Sequence, residues 1–395
     1  MTKNEAIPTV LPVYNRIDLV FERGEGAWLY TNDGRKFLDF ASGIAVTGLG
    51  HAHPHLVETL QKQAARVWHV SNLFRIDPLE RLADRLVANS FAETVFACNS
   101  GAEAMEACIK MARRFQWARG QQRRNRIITF EGSFHGRTMA TISAAGETRL
   151  TEGFAPLLDG FDRVPFGDHD AVRAAITEET AAIMIEPVQG EGGIRPVPKE
   201  CLQGLRELCD EHDLLLIFDE VQCGMGRTGK LFAHQLSGVT PDIMGSAKGL
   251  GGGFPIGACL ATARAASGMT TSTHGSTFGG NPLASAVANA VLDVMLEDGF
   301  LDRVVERGRY LARKLEDLAG TFPGVIGGTR GEGLMLGVKC IVPHLELSAK
   351  LRENGLLSVP AADNIVRLLP PMTISEEEID IAIDMIGESC RAMTT

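Results

Sequence analysis

The sequence predicts an α/β protein: a mostly parallel, helix-flanked sheet with a smaller α+β domain after it. Three observations predict it. Leu214–Phe218 is five apolar residues in a row between His212-Asp213 and Gly224, the pattern of a strand buried on both faces of a parallel sheet. Thr94–Cys98, Arg126–Phe130 and Ala181–Ile185 are further strand-like runs that deliver polar or glycine-rich loops, with stretches of helical period between them. From about Gly320 the alternation gives way to short strands around helices, at Gly333–Lys339, Leu356–Val359 and Asn364–Leu369.

The totals exclude several function classes. A chain of 395 residues, 45% hydrophobic and 22% charged, has room for a large core and the balance of a soluble enzyme. A net charge of −10 argues against a nucleic-acid footprint. The eight cysteines fall singly with no CxxC pair, and no run approaches the ~20 apolar residues of a membrane span, so reduced thiols, no membrane partner and a cytoplasmic location are expected.

Residues 1–50 read as an N-terminal arm with a small sheet, in which Asn32-Asp33-Gly34-Arg35 turns the chain between Gly24–Tyr30 and Lys36–Phe40. His51, His53 and His55 have no acidic or thiol partner at a ligand spacing, so no metal is expected and the segment is read as a polar loop opening a helix over 56–67. Ser100 and Glu103 form a capping-box pattern ahead of Met105, Cys108, Ile109, Ala112 and Phe115, which share one helix face. A second amphipathic stretch runs from Cys201 to His212. A long helical region from Leu283 to about Leu318 is interrupted near Gly299, and a last helix is capped at Ser375 and Glu378. The expected division is an arm at 1–50, a large domain at 51–298, and a linker helix with a small domain at 299–395.

The chemistry gathers at the strand ends. Asp219 closes the most apolar strand, at the edge where open α/β sheets bind ligands, and a carboxylate there needs a cation: a protein group, a metal or a cofactor's protonated nitrogen. Lys248 follows a second strand-like run among small residues, where an amine can reach a cleft partly desolvated. Gly101 bares backbone N–H groups at a helix start, which suits a phosphate. Taken alone, a surface lysine and a plain N-cap are the bland readings of Lys248 and Ser100-Gly101. The loop after Arg126–Phe130 carries Phe134, which could stack on a planar ring, and Arg137, which could fork a carboxylate. Gly224–Lys230 satisfies GxGxxG, but Leu231 stands where a nucleotide-binding loop needs Ser or Thr. Asp242 comes only thirteen positions after Gly229, short of the ~20 of a dinucleotide site, so a glycine-rich surface turn is favoured over an oxidoreductase.

Five motifs occur together and in order: Asn99-Ser-Gly-Ala-Glu-Ala, Ser133-Phe-His-Gly-Arg-Thr, Phe218-Asp-Glu-Val-Gln-Cys-Gly-Met-Gly-Arg-Thr-Gly, Ala247-Lys-Gly-Leu-Gly-Gly-Gly and Gly275-Ser-Thr-Phe-Gly-Gly-Asn-Pro. With them the chain resembles the class III (subgroup II) pyridoxal-phosphate aminotransferases of fold type I, from about Val13 to the last helix. The resemblance implies that Lys248 holds pyridoxal 5'-phosphate as an imine and shuttles a proton, and that Asp219 keeps the pyridine nitrogen protonated. It implies that Ser100, Gly101 and Ala102 hold the phosphate with Thr277 of a partner subunit, that Phe134 and Val221 sandwich the ring, and that Gln222 meets its phenolic oxygen. A homodimer with shared active sites follows. Tyr14, Arg137, Glu191, Ser276 and Arg367 are the implied substrate residues, with Glu191 releasing Arg367 when 2-oxoglutarate enters. Within the family the chain most resembles members that transfer the δ-amino group of N2-acetyl-L-ornithine to 2-oxoglutarate in arginine biosynthesis. Gly43 stands where relatives acting on free ornithine carry a tyrosine. Succinylornithine, N-succinyl-diaminopimelate and 4-aminobutyrate are the alternative donors.

Overall fold

The computed structural model describes residues 7–394. Its strands in chain order begin with β1 (Phe21–Glu25), β2 (Trp28–Thr31) and β3 (Lys36–Asp39), then β4 (Thr94–Cys98), β5 (Arg126–Phe130), β6 (Phe161–Val164) and β7 (Thr180–Ile185). A two-residue ribbon of β8 (Val188–Gln189) and β9 (Arg195–Pro196) precedes β10 (Leu215–Asp219), β11 (Ile243–Ser246) and β12 (Gly257–Ala261). The C-terminal strands are β13 (Ile326–Glu332), β14 (Met335–Cys340), β15 (Leu356–Leu357), β16 (Val359–Ala361) and β17 (Ile365–Leu368).

The central sheet has seven strands in the order β4-β12-β11-β10-β7-β5-β6. β12 alone runs against its neighbours, β11 and β4, so the remaining strands point one way. β10 shows why its run is apolar throughout. Leu216 and Phe218 join the core on one face, while Leu215 and Ile217 meet Met105, Cys108, Ala112 and Phe115 of the helix Gly101–Ala118 on the other. With both faces covered, no position of the strand can be polar until its end.

A four-stranded antiparallel sheet, β13-β14-β17-β16, forms the C-terminal body. β13 was not legible in the sequence because its residues, IGGTRGE, carry three glycines and a single buried side chain. The arm is tied to this end of the chain, since β15 pairs with β3 in parallel and extends the N-terminal sheet. The helical region breaks as expected, into Pro282–Met295 and Phe300–Thr321, with Gly299 at φ 77° between them. The helix expected over 56–67 spans Pro54–Ala64, beginning at a proline whose missing N–H costs nothing there.

The expectation for Gly224–Lys230 is corrected. The segment is not a surface turn: residues 224–229 are all buried, and the Arg227 side chain lies fully inside, donating to the carbonyls of Leu334 and Pro370. Its glycines reflect close packing, which composition alone does not distinguish from exposure: a Cβ would stand 2.9 Å from Met372 Sδ at Gly226 and 2.4 Å from Val305 Cγ2 at Gly229.

Candidate active site

The carboxyl ends of β4, β5, β7, β10 and β11 deliver the loops that carry Ser100, Phe134 to Arg137, Glu186 to Glu191, Asp219 to Gln222, and Lys248. Beside them lies a cavity of about 770 Å³ lined by Tyr14, Phe134, Arg137, Glu191, Lys248 and Arg367, with Gly43 and Ile44 at its wall. Six of the substrate and cofactor residues read from the sequence therefore meet in one place.

Asp219 is buried, and its cation is His135, whose Nδ1 lies 2.8 Å from Oδ2. Burial works against the imidazolium, yet the hydrogen bond and charge of Asp219 outweigh it and hold the His135 pKa above its ordinary value. The other carboxylate oxygen of Asp219 accepts the Val221 N–H at 3.0 Å. Glu186 is buried nearby, accepting from the N–H groups of Phe134 and Gly190, and burial pushes it up to about 7. Lys248 sits at φ 44° on the first turn after β11, and burial followed by the charge of Arg367 pushes its amine down to about 8.

Arg367 on β17 is 1% exposed. Its Nη2 pairs with Glu191 at 2.8 Å and its Nη1 donates to Gln222 Oε1 at 3.1 Å. Arg137 is the second guanidinium of the cavity, and its charge lies 5.6 Å from the Phe134 ring centroid.

The helix Gly101–Ala118 opens as its sequence implies: Ser100 Oγ accepts the Glu103 N–H, and the Glu103 carboxylate returns to Asn99 N at 2.7 Å. Gly101 has no room for a side chain, since a Cβ there would stand 2.6 Å from Val221 Cγ1. The bare helix start, a desolvated amine and a buried carboxylate would offer one group to each end of pyridoxal phosphate: N–H donors to the phosphate, Lys248 to the aldehyde and Asp219 to the ring nitrogen. The residues present fit that cofactor.

Eight implied residues do not line this cavity: Ser100, Gly101, Ala102, Asp219, Val221 and Gln222 stand on the strand-end loops, and Ser276 and Thr277 on a further loop. Ser276 Oγ is engaged by Asn99 and the Gly279 N–H, and Thr277 is exposed on the adjoining loop. The cavity wall also differs from the simple absence of a side chain at Gly43. Ser42, Gly43, Ile44 and Ala45 all have left-handed φ, from 46° to 65°, which presents Ile44 to the cavity as well. Asp39 holds this turn, accepting the N–H groups of Ala41 and Ser42 and meeting His51 Nε2 at 2.8 Å.

Sequence reasoning missed His135 as the partner of Asp219, because 84 positions separate them and no local spacing connects them. The signal available was the need of a buried carboxylate for a cation, which the sequence raised without being able to locate the protein group.

The aminotransferase class-III family model matches residues 11–389, and the chain belongs to that family, on the fold type I architecture. It is a pyridoxal-phosphate-dependent aminotransferase. It is 58% identical over 380 residues to the acetylornithine aminotransferase of Mesorhizobium japonicum, covering 96% of this chain and 95% of that one. Among solved structures it is similar to the N-acetylornithine aminotransferase of Stenotrophomonas maltophilia, with a TM-score of 0.85 and 39% identity over 96% of this chain and 98% of the other. It is similar too to the ornithine aminotransferase of Toxoplasma gondii, seen with pyridoxal phosphate at partial occupancy in its active site, with a TM-score of 0.92 and 32% identity over 96% and 92% of the two chains.

Proposed function

We propose that this protein transfers the δ-amino group of N2-acetyl-L-ornithine to 2-oxoglutarate, giving N-acetyl-L-glutamate 5-semialdehyde and L-glutamate. The observation that carries the reading is the Glu191–Arg367 pair at 2.8 Å on the same cavity as Lys248 and Arg137. A dicarboxylate acceptor needs two cations, whereas the donor brings one carboxylate, so a guanidinium that its own protein can neutralise serves both. The names of the relatives support the acetylated donor, and Gly43 brings no side chain to a wall that Ile44 also lines.

When bound, pyridoxal phosphate supplies an electron-withdrawing ring that stabilises negative charge on the carbon bearing the amino group. Lys248 would hold the cofactor and, once displaced, carry a proton to and from that carbon. Asp219, paired with His135, would keep a proton on the ring nitrogen. Ser100, Gly101 and Ala102 would hold the phosphate, Phe134 and Val221 would flank the ring, and Gln222, whose Oε1 accepts from Arg367, would donate its amide N–H to the phenolic oxygen. Tyr14 and Arg137 would meet the donor's carboxylate end.

A homodimer completes the site in this reading, with Thr277 serving the partner's phosphate. Support comes from the surface around it: Trp68, Leu73, Phe74 and Phe278 are exposed, and Asn72 ties their two loops by donating to Ser276 O and Gly279 O. Such an apolar patch is what a subunit interface covers. We propose the same division of the chain as above, with arm, large and small domains at 1–50, 51–298 and 299–395. A cytoplasmic setting fits eight free cysteines and a chain in which, among the described residues, no helix is long and apolar enough to cross a membrane.

Steady-state turnover of the cofactor-loaded enzyme on acetylornithine, succinylornithine, ornithine and 4-aminobutyrate, each with 2-oxoglutarate, tests the proposal. Acetylornithine should lead in kcat/KM. If free ornithine or 4-aminobutyrate led, the reading of the cavity wall would fall.

A further inference from the structure

We infer that Arg227 is a positioning residue for Arg367, holding the C-terminal sheet in the register that lets Arg367 receive the acceptor's carboxylate. The inference rests on the proposed role of Arg367. The segment after Asp219 touches the end of β17 twice. Gln222 accepts from Arg367 itself at 3.1 Å, and Arg227 donates to the carbonyl of Pro370, three residues further along the chain and two past the end of that strand. The same Nη1 also donates to Leu334 O at 3.1 Å, where the chain turns between β13 and β14, and Leu334 N returns a bond to Arg227 O at 3.0 Å.

The sequence explains why a guanidinium is needed. Leu369-Pro370-Pro371 ends the ladder, since a proline offers no N–H, and the carbonyls there must find donors from outside the sheet. Arg227 supplies one to Pro370 from the loop that carries Asp219 and Gln222, whereas Pro371 O accepts the Ile374 N–H at 3.1 Å. Gly333 makes the approach possible: at φ 56° a Cβ would stand 2.7 Å from the Thr228 backbone. Burial pushes the Arg227 pKa down to about 10, and among the described residues no carboxylate bonds to it, so the group is retained against a desolvation cost. A neutral side chain would fill the space more cheaply but would leave the two carbonyls unpaired.

Two half-reactions separate positioning from general damage. With acetylornithine as donor, Arg367 stays paired to Glu191, whereas 2-oxoglutarate must displace that pair. Arg227→Lys keeps the charge with a shorter reach, and Arg227→Met removes the donors. An error of about 1 Å at Arg367 is expected to raise the KM for 2-oxoglutarate, and the Kd for unreactive glutarate by calorimetry, about 10- to 100-fold. The donor half-reaction, followed by cofactor absorbance, should change by less than about twofold. Arg367→Lys is the control and should weaken 2-oxoglutarate in the same way. If Arg367→Lys leaves 2-oxoglutarate unaffected, the role of Arg367 itself is wrong and the inference falls with it. If Arg367→Lys weakens the acceptor but Arg227→Lys leaves it unchanged, or slows both half-reactions equally, Arg227 is structural only and the inference is overturned. Should Arg227→Met not fold, Arg227→Lys decides.

Discussion

Glu191→Gln tests the charge switch directly. The carboxylate lies 2.8 Å from a guanidinium that is 1% exposed, and Gln222 and the Pro360 carbonyl hold the rest of Arg367 in place. Glutamine keeps the shape and one acceptor but loses the charge. A hydrogen bond between charged groups contributes about 1.5–3 kcal/mol against about 0.5–1.5 for an ordinary one, so the substitution removes about 1–1.5 kcal/mol from the closed pair. That energy no longer has to be given up when the carboxylate of 2-oxoglutarate takes Arg367, and its affinity should rise about 5- to 10-fold. The donor half-reaction should move the other way by a similar factor, because an under-neutralised Arg367 draws any carboxylate towards the wrong end of the cavity. Stopped-flow absorbance of the cofactor measures each half-reaction separately. Equal effects on both, or none on either, would refute the idea that Glu191 arbitrates between the two substrates.

Further outcomes follow from the same geometry. Lys248→Ala should abolish turnover and the visible absorbance of the bound cofactor; a yellow, active variant would exclude the assigned role. Only the neutral amine attacks an aldehyde, and burial holds the Lys248 pKa at about 8, so reconstitution of the apoenzyme should speed up as pH rises to about 8 and then level off. Continued acceleration to the ordinary lysine value would show an unperturbed amine. Gly101→Ala must push Val221 aside from a 2.6 Å approach, at a cost of about 1–3 kcal/mol, and should weaken cofactor binding measured by absorbance titration about 5- to 150-fold. Asp39→Ala strands the N–H groups of Ala41 and Ser42 and unties His51, which should cost about 2–4 kcal/mol in denaturant melts and loosen the wall at Ile44. An unchanged midpoint would mean the left-handed turn is held by packing alone.

The sequence by itself determined five of the seven strands of the central sheet and the polar loops at their ends. The strands β4, β5, β7, β10 and β11 announce themselves because a core buried on both faces favours apolar residues, and the end of each run or the loop that follows it carries Ser100, Phe134, Glu191, Asp219 and Lys248. The start of the helix Gly101–Ala118 is legible for a similar reason, since capping is a local requirement met within four residues. Contacts between distant segments were decided only by the tertiary structure. His135 reaches Asp219 across 84 positions, and Arg227 reaches Pro370 across 143. The left-handed run at 42–45 is set by Asp39 and His51 rather than by the propensities of Ser, Ile and Ala, which oppose it. The buried setting of residues 224–229 belongs to the same class: glycines permit a turn in water and a close approach in a core equally, and only the arrival of Leu301, Val305 and Met372 distinguishes the two.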